Sequence, residues 1–199
     1  MTHPPHRPVA AVIIPHYNDP VRLVRCLDAL MPQVHALSVP VDVIVVDNNS
    51  DQPLPTGMPA AWAPARLVVE TAKGAAHARN RGVAETASDR LFFLDSDCLP
   101  APDWLDTALR VADRAPLVGG SVPVFDETPP PRSGAEAFEA VFAFDFRRYI
   151  EEKGFSGSGN LLTRREVFDR IGGFRAGLSE DLDWCHRATA AGFALVYAE

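Results

Sequence analysis

The chain has 199 residues, 47% hydrophobic and 23% charged, with a net charge of −7, a composition that suits one large globular domain with a real core. The negative balance argues against broad electrostatic attachment to nucleic acid or anionic membrane, and no segment approaches the ~20 apolar residues of a membrane span. Cys26, Cys98 and Cys185 lie far apart, giving neither a disulfide framework nor a zinc spacing, and they point to a reducing, cytoplasmic compartment.

Met1 to Pro8 is rich in Pro and His and lacks the apolar centre of a signal peptide, so it reads as a flexible start before a domain over 9–199. Strand and helix patterns then alternate. This predicts an α/β fold with a mostly parallel central sheet and helices on both faces. Val9 to Ile14 is an apolar strand stopped by Pro15, and a helix follows from Pro20 to about Met31, burying Leu23, Cys26, Leu27 and Leu30. Val41 to Val46 is a second buried strand, and the Pro-rich stretch from Pro53 to Pro64 is loop with a short turn at most. Arg66 to Val69 is a third strand, Ala75 to Thr86 an Ala-rich helix, and Arg90 to Leu94 a fourth strand. Pro102 sits in the first turn of a helix reaching about Ala115. Leu117 to Phe125 is a strand in which Gly119-Gly120 permits a bulge. Thr128 to Pro131 is a rigid linker into a helix from about Ala135 to Tyr149. After Lys153 the character changes: Phe155 to Asn160 is a run of small residues that lets backbone approach a ligand closely. A short helix from Arg165 to Ile171 ends at Gly172-Gly173. A last helix from Glu180 to Ala191 and a strand from Phe193 to Tyr197 complete the chain.

The residues with chemistry gather where strands end. Leu91-Phe92-Phe93-Leu94 runs into Asp95-Ser96-Asp97, and open α/β sheets bind ligands outside the carboxyl ends of their strands. Two close carboxylates repel each other unless a cation or proton sits between them, and oxygen ligands suit Mg²⁺ or Mn²⁺. A polar turn closing the strand is the simpler alternative for this tripeptide alone. The first strand ends in Pro15-His16-Tyr17-Asn18-Asp19, a turn with no glycine, which counts against a dinucleotide-type phosphate loop. It could hold a planar base, or simply serve as a turn in which Asp19 caps the following helix. Asp47 closes the second strand, as either a nucleoside-binding acid or part of an Asx turn with Asn48, Asn49 and Ser50. Arg79 lies on the Ala-rich helix and could reach an anion, although exposed helix arginines are usually just solvated. Ser179-Glu180-Asp181 opens the last helix, either as cap and dipole-matched acids or as the seat of a general base. Asp183 and Arg187, four apart, read as an ion pair, and Trp184 as either core or a sugar-stacking surface.

Taken in order these segments resemble the family 2 glycosyltransferases with the GT-A fold. The resemblance rests on Val12-Ile13-Ile14-Pro15-His16-Tyr17-Asn18, Val45-Val46-Asp47-Asn48-Asn49-Ser50, Ala78-Arg79-Asn80-Arg81-Gly82, Asp95-Ser96-Asp97, Gly159-Asn160-Leu161-Leu162, Ile171-Gly172-Gly173-Phe174 and Glu180-Asp181-Leu182-Asp183. It implies an inverting transferase that uses a nucleotide-diphosphate sugar with Mg²⁺ or Mn²⁺, acting in polysaccharide or glycoconjugate synthesis on a saccharide, lipid or protein acceptor. Residue by residue, it implies that Pro15, Tyr17, Asp47, Arg79, Asp95 and Ser96 border the nucleotide sugar and that Asp97 holds the metal. Asp181 would be the base, with Gly159, Asn160, Glu180 and Trp184 on the acceptor side. A donor half over about 9–125 and an acceptor half over about 126–199 follow. Family members often carry a further His just after the strand that here ends in Tyr197-Ala198-Glu199. The chain stops before it, which reads as a fragment or a short member completed by a partner chain. Peripheral membrane attachment and oligomeric state stay open. The rival readings are a non-catalytic nucleotide-sugar binding module and a sugar-1-phosphate nucleotidyltransferase. The latter would want a Gly-rich basic loop after the first strand, which Pro15-His16-Tyr17-Asn18 is not.

Overall fold

The computed structural model describes residues 7–52, 54, 59–125, 131–135, 137–138, 144–177 and 179–199. Seven strands form one mixed sheet in the order β3-β2-β1-β4-β6-β5-β7. They are β1 Ala10–His16, β2 Val41–Asp47, β3 Arg66–Val69, β4 Arg90–Leu94, β5 Leu117–Gly120, β6 Asn160–Arg164 and β7 Leu195–Ala198. All run parallel except β6, which pairs antiparallel with both β4 and β5. The apolar runs of β1, β2 and β4 are buried on both faces, as expected of central strands in a sheet covered on each side.

On one face lie α1 Pro20–Ala36 and α3 Trp104–Val111, packing Leu23, Leu27, Leu30 and Leu105 against Val12, Val43 and Phe92. On the other lie α2 Ala75–Ala84, α4 Phe146–Glu151, α5 Arg165–Ile171 and α6 Glu180–Ala190. There Phe93, Phe168, Phe174 and Trp184 form an aromatic core, with ring centroids 5.1–6.4 Å apart. The α/β architecture with a mostly parallel sheet is therefore as the sequence predicts. Helix α2 comes especially close: a Cβ on Gly82 would lie 2.4 Å from Ile13 Cγ2. Gly82→Ala should accordingly cost about 1–3 kcal/mol through overpacking, despite alanine's better helix propensity. A denaturant melt with an unchanged midpoint would show that the interface can yield.

Some boundaries differ from expectation, each for a physical reason. Strand β1 runs through Pro15 instead of stopping there. The His16 carbonyl accepts from Asn48 N–H on the β2 side. Pro15, one residue earlier, therefore turns its missing donor toward β4, where pairing has already ended at Ile13. Helix α1 continues past Pro32 to Ala36, since Met31 and Val34 prolong the buried stripe. Strand β5 ends at Gly120 rather than Phe125 because its partners run out there, β6 starting at Asn160 and β7 ending at Ala198 opposite Gly120. Strand β6 is an element that the sequence pattern did not reveal. The expected Thr128–Pro131 linker and much of the expected helix from Ala135 to Tyr149 fall outside the described residues; the last part of that stretch is in α4.

Candidate active site

The strand order changes direction at β1, whose neighbours are β2 on one side and β4 on the other. Such a switch point is where open α/β sheets form their ligand crevice, beyond the carboxyl ends, and side chains from four segments lie around it.

The β1 end contributes His16 and Tyr17. Asp19 is the cap of α1, its carboxylate accepting from Arg22 N–H at 3.1 Å. Asn18 adopts a left-handed φ of 54° and bonds Ser50 and Asp51, clamping the β1 and β2 ends together. Tyr17 is 46% exposed, with Lys73 Nζ 5.4 Å from its ring centre and 3.4 Å from its hydroxyl. This leaves an aromatic face at the crevice with a cation beside it. Lys73 had no sequence signal pointing to it, because the loop that carries it is distant from Tyr17 in the chain.

His16 is almost fully buried, and neither ring nitrogen has a hydrogen-bond partner among the described residues. Burial lowers its pKa against the opposing pull of Asp47 and Asp19. The folded state thus takes up fewer protons than the unfolded chain below the ordinary His value of 6.5, and stability drains away as pH falls through that point. His16→Phe should flatten the slope of melting temperature between about pH 5 and 7; an unaltered slope would assign the acid sensitivity to other groups.

At the β2 end, Asp47 is buried and its carboxylate accepts from the Ser50 hydroxyl, a side-chain bond across the turn. Asn48 braces the neighbouring loop, donating to Glu70 O and Ala72 O and accepting from Gly74 N–H at 2.6 Å. That loop leads into α2, which carries Arg79.

At the β4 end, Asp95 sits half-buried, and the turn through Ser96 to Cys98 is closed by Cys98 N–H to Asp95 O at 3.1 Å. Asp97 lies on the exposed lip. Desolvation by the protein beneath it, and then the charge of Asp95, raise its carboxyl pKa above the ordinary value. Of these two causes it is the second, the neighbouring negative charge, that favours a cation there. Among the described residues, no three His, Cys, Asp or Glu side chains converge to cage a metal. The donor set of Asp95 and Asp97 fits an Mg²⁺- or Mn²⁺-type ion that draws its remaining ligands from water and phosphate.

The fourth segment reaches from β6 to α6. A Cβ on Gly159 would lie 3.1 Å from Asp95 Oδ2, and one on Gly157 would lie 3.7 Å from Asp181 Oδ2. Gly157-Ser158-Gly159 therefore passes close to both Asp181 and Asp95, and a Cβ on Gly157 would also meet the Phe146 ring at 2.7 Å. Asp181 is half-buried at the start of α6; its Oδ1 accepts from Leu182 N–H at 2.8 Å, and its Oδ2 faces Gly157. Glu180, beside it, accepts from Arg79 at 2.7 Å.

Three sequence expectations need correction. Trp184 is fully buried, donates its indole N–H to Gly172 O at 2.8 Å and stacks among Phe168 and Phe174. It is core, with no face for a sugar. Arg79 is neither solvated nor open to a diphosphate: its side chain is 6% exposed and held by Asp95 and Glu180. Asn160 accepts from Trp104 Nε1 at 3.0 Å and donates to Ser121 O at 3.0 Å, so its amide braces the sheet instead of meeting an acceptor. Pro15 and Ser96 lie at the β1 and β4 ends as expected, and the Asp183–Arg187 pair forms at 2.9 Å.

Known proteins resemble this chain in sequence and in fold. The family model for glycosyl transferase family 2 matches residues 11–183. The glycosyltransferase AglE of Haloferax volcanii is 30% identical over 96% of the chain, which spans 64% of that protein. The pre-mycofactocin glycosyltransferase of Mycobacterium tuberculosis is 29% identical over 98% of the chain, which spans 42% of it. The chain is thus shorter than these relatives. Among solved structures, the mannosyltransferase PcManGT of Pyrobaculum calidifontis, in complex with GDP-Man and Mn²⁺, superposes with a TM-score of 0.66 at 24% identity. That match covers 98% of this chain and 55% of the other. TarS of S. aureus, in complex with UDP-GlcNAc, gives a TM-score of 0.65 at 16% identity, over 96% of this chain and 58% of the other. These likenesses establish the GT-A fold.

Proposed function

The chain belongs to glycosyl transferase family 2, and from that premise we propose that it moves a sugar from a nucleotide-diphosphate sugar to an acceptor hydroxyl, with inversion and with a divalent cation. The observation that supports this best is the Gly157 to Gly159 segment, which runs close to both the Asp95 carboxylate and the Asp181 carboxylate. Inversion needs a proton acceptor on one face of the sugar and a stabilised leaving group on the other, and Asp181 and the Asp95–Asp97 pair stand in those two relations.

Tyr17 and Asp47 receive the nucleoside, with the Tyr17 face for the base and Asp47 for its polar edge. Asp97 and Asp95 Oδ2 would hold the divalent cation, which would supply positive charge to offset the negative charge developing on the departing diphosphate. Asp181 Oδ2 takes the acceptor proton as the hydroxyl attacks the anomeric carbon. The acceptor approaches beside Gly157 to Gly159, where the backbone runs close to both carboxylates, and holding the partners together supplies much of the remaining acceleration. The division into a donor half over about 9–125 and an acceptor half over about 126–199 belongs to this reading, as does a role in polysaccharide or glycoconjugate synthesis. Among the described residues no helix is long and apolar enough to cross a membrane.

A thermal-shift screen of UDP, GDP and their sugars tests the donor side. With Mn²⁺ present, one nucleotide diphosphate at about 100 times its Kd should stabilise the fold by about 2.7 kcal/mol. EDTA should remove both this shift and nucleotide release from the cognate sugar. Shifts that persist in EDTA would exclude the cation from the site.

A further inference from the structure

We propose that Arg79 is a positioning residue, a strap that ties the start of α6, and with it the Asp181 base, to the donor-side acid Asp95. The proposal rests on the catalytic reading above and goes beyond it, since that reading asks for no protein cation between the donor and acceptor sides.

One planar guanidinium reaches both sides. Nη2 donates to Asp95 Oδ1 at 2.6 Å and Nη1 to Glu180 Oε1 at 2.7 Å. The group is buried, with the Phe174 ring centre 6.0 Å from its central carbon, and its Nε has no partner among the described residues. Burial alone would lower its pKa, but Asp95 and Glu180 together reverse that, and it stays charged.

The helix it holds needs such a tether. Ser179 occupies the cap position of α6 yet makes no side-chain cap bond, so the usual anchor of a helix start is missing there. Glu180 on Arg79 supplies one in its place. On the other flank, Arg187 bonds Asp183, Ile171 O and Gly173 O and fixes the helix from Asp183 onward, while Glu180 at its very start is held by the strap. Asp181 follows Glu180 directly, so its reach toward the crevice is set by where Glu180 is held. The fork geometry matters: a lysine offers a single point charge and cannot address two carboxylates at opposite ends.

The test uses Glu180→Gln and Arg79→Lys in the full chain, with Asp181→Asn for comparison. Three quantities are read: nucleotide release from UDP-GlcNAc and GDP-Man, calorimetric affinity for UDP and GDP with Mn²⁺, and hydrogen exchange of the peptide covering residues 179–183. Glu180→Gln keeps the shape and should fold even if Arg79→Lys does not. We expect turnover to fall about 10–100-fold, nucleotide affinity to be retained, and exchange to quicken in that first turn alone. Asp181→Asn should lose turnover without quickened exchange. Wild-type exchange in Glu180→Gln overturns the strap whatever the activity. Loss of nucleotide affinity in step with turnover also overturns it, because Glu180 would then belong to the donor site. A wild type that binds neither nucleotide with Mn²⁺ and releases none instead overturns the functional reading; exchange then still decides whether the tether exists.

Discussion

Asp181→Asn should reduce transfer by about 10²–10⁴-fold, the range for losing a general base, while leaving affinity for a nucleotide diphosphate with Mn²⁺ unchanged. The substitution preserves shape. An amide oxygen can still accept from Leu182 N–H at the helix start, so the fold of α6 should survive and the loss should fall on turnover. What disappears is the ability to accept a proton at Oδ2, the atom that faces Gly157. Transfer kinetics and calorimetry on the same preparation give the result. If transfer continues at the wild-type rate, the proton goes elsewhere and Asp181 is not the base. This variant also separates an enzyme from a non-catalytic binding module, which has no turnover to lose.

Asp97→Asn should abolish Mn²⁺-dependent nucleotide stabilisation, a loss of about 2.7 kcal/mol at ligand near 100 times Kd. In the unliganded protein it should raise the melting temperature at neutral pH. The sign follows from the raised carboxyl pKa of Asp97. The folded state keeps that proton to higher pH than the unfolded chain, so stability is lost as pH rises from the ordinary carboxylate value of 3.8 through the raised one. At neutral pH the ionised group opposes folding until a cation arrives, and the neutral amide removes that opposition. The wild type should therefore gain from Mn²⁺ and the variant should not. Equal Mn²⁺ responses in the two proteins would release Asp97 from its assigned part.

Much of this arrangement is legible in the sequence. Ala10–His16, Val41–Asp47 and Arg90–Leu94 are apolar runs because both of their faces are covered, and each ends on the polar residues that rim the crevice. Strand β6 was hidden for two reasons. Asn160–Arg164 has only two strongly apolar residues, and the chain enters α5 at Arg165 with no loop between, so strand and helix read as one pattern. Trp184 could not be placed from periodicity, since a helix start at the rim can turn an aromatic toward the core or the crevice. Arg79 is the most instructive case. Its partners lie 16 and 101 residues away, and nothing local marks a helix arginine as buried between two acids. Lys73 beside Tyr17, 56 residues apart, was invisible on the same grounds.

The reversed direction of β6 has a consequence for how such an enzyme can diversify. Because this strand alone runs against the others, it is its amino end that arrives at the rim where β1, β2 and β4 finish. Its described approach, residues 144–156, buries Phe146, Ile150 and Ser156 and leads into the glycines beside Asp181 and Asp95, so it meets the rim without passing through the strands that lead to Tyr17, Asp47 and Asp97. Chimeras that swap this stretch between homologues should transplant acceptor preference onto an unchanged donor preference.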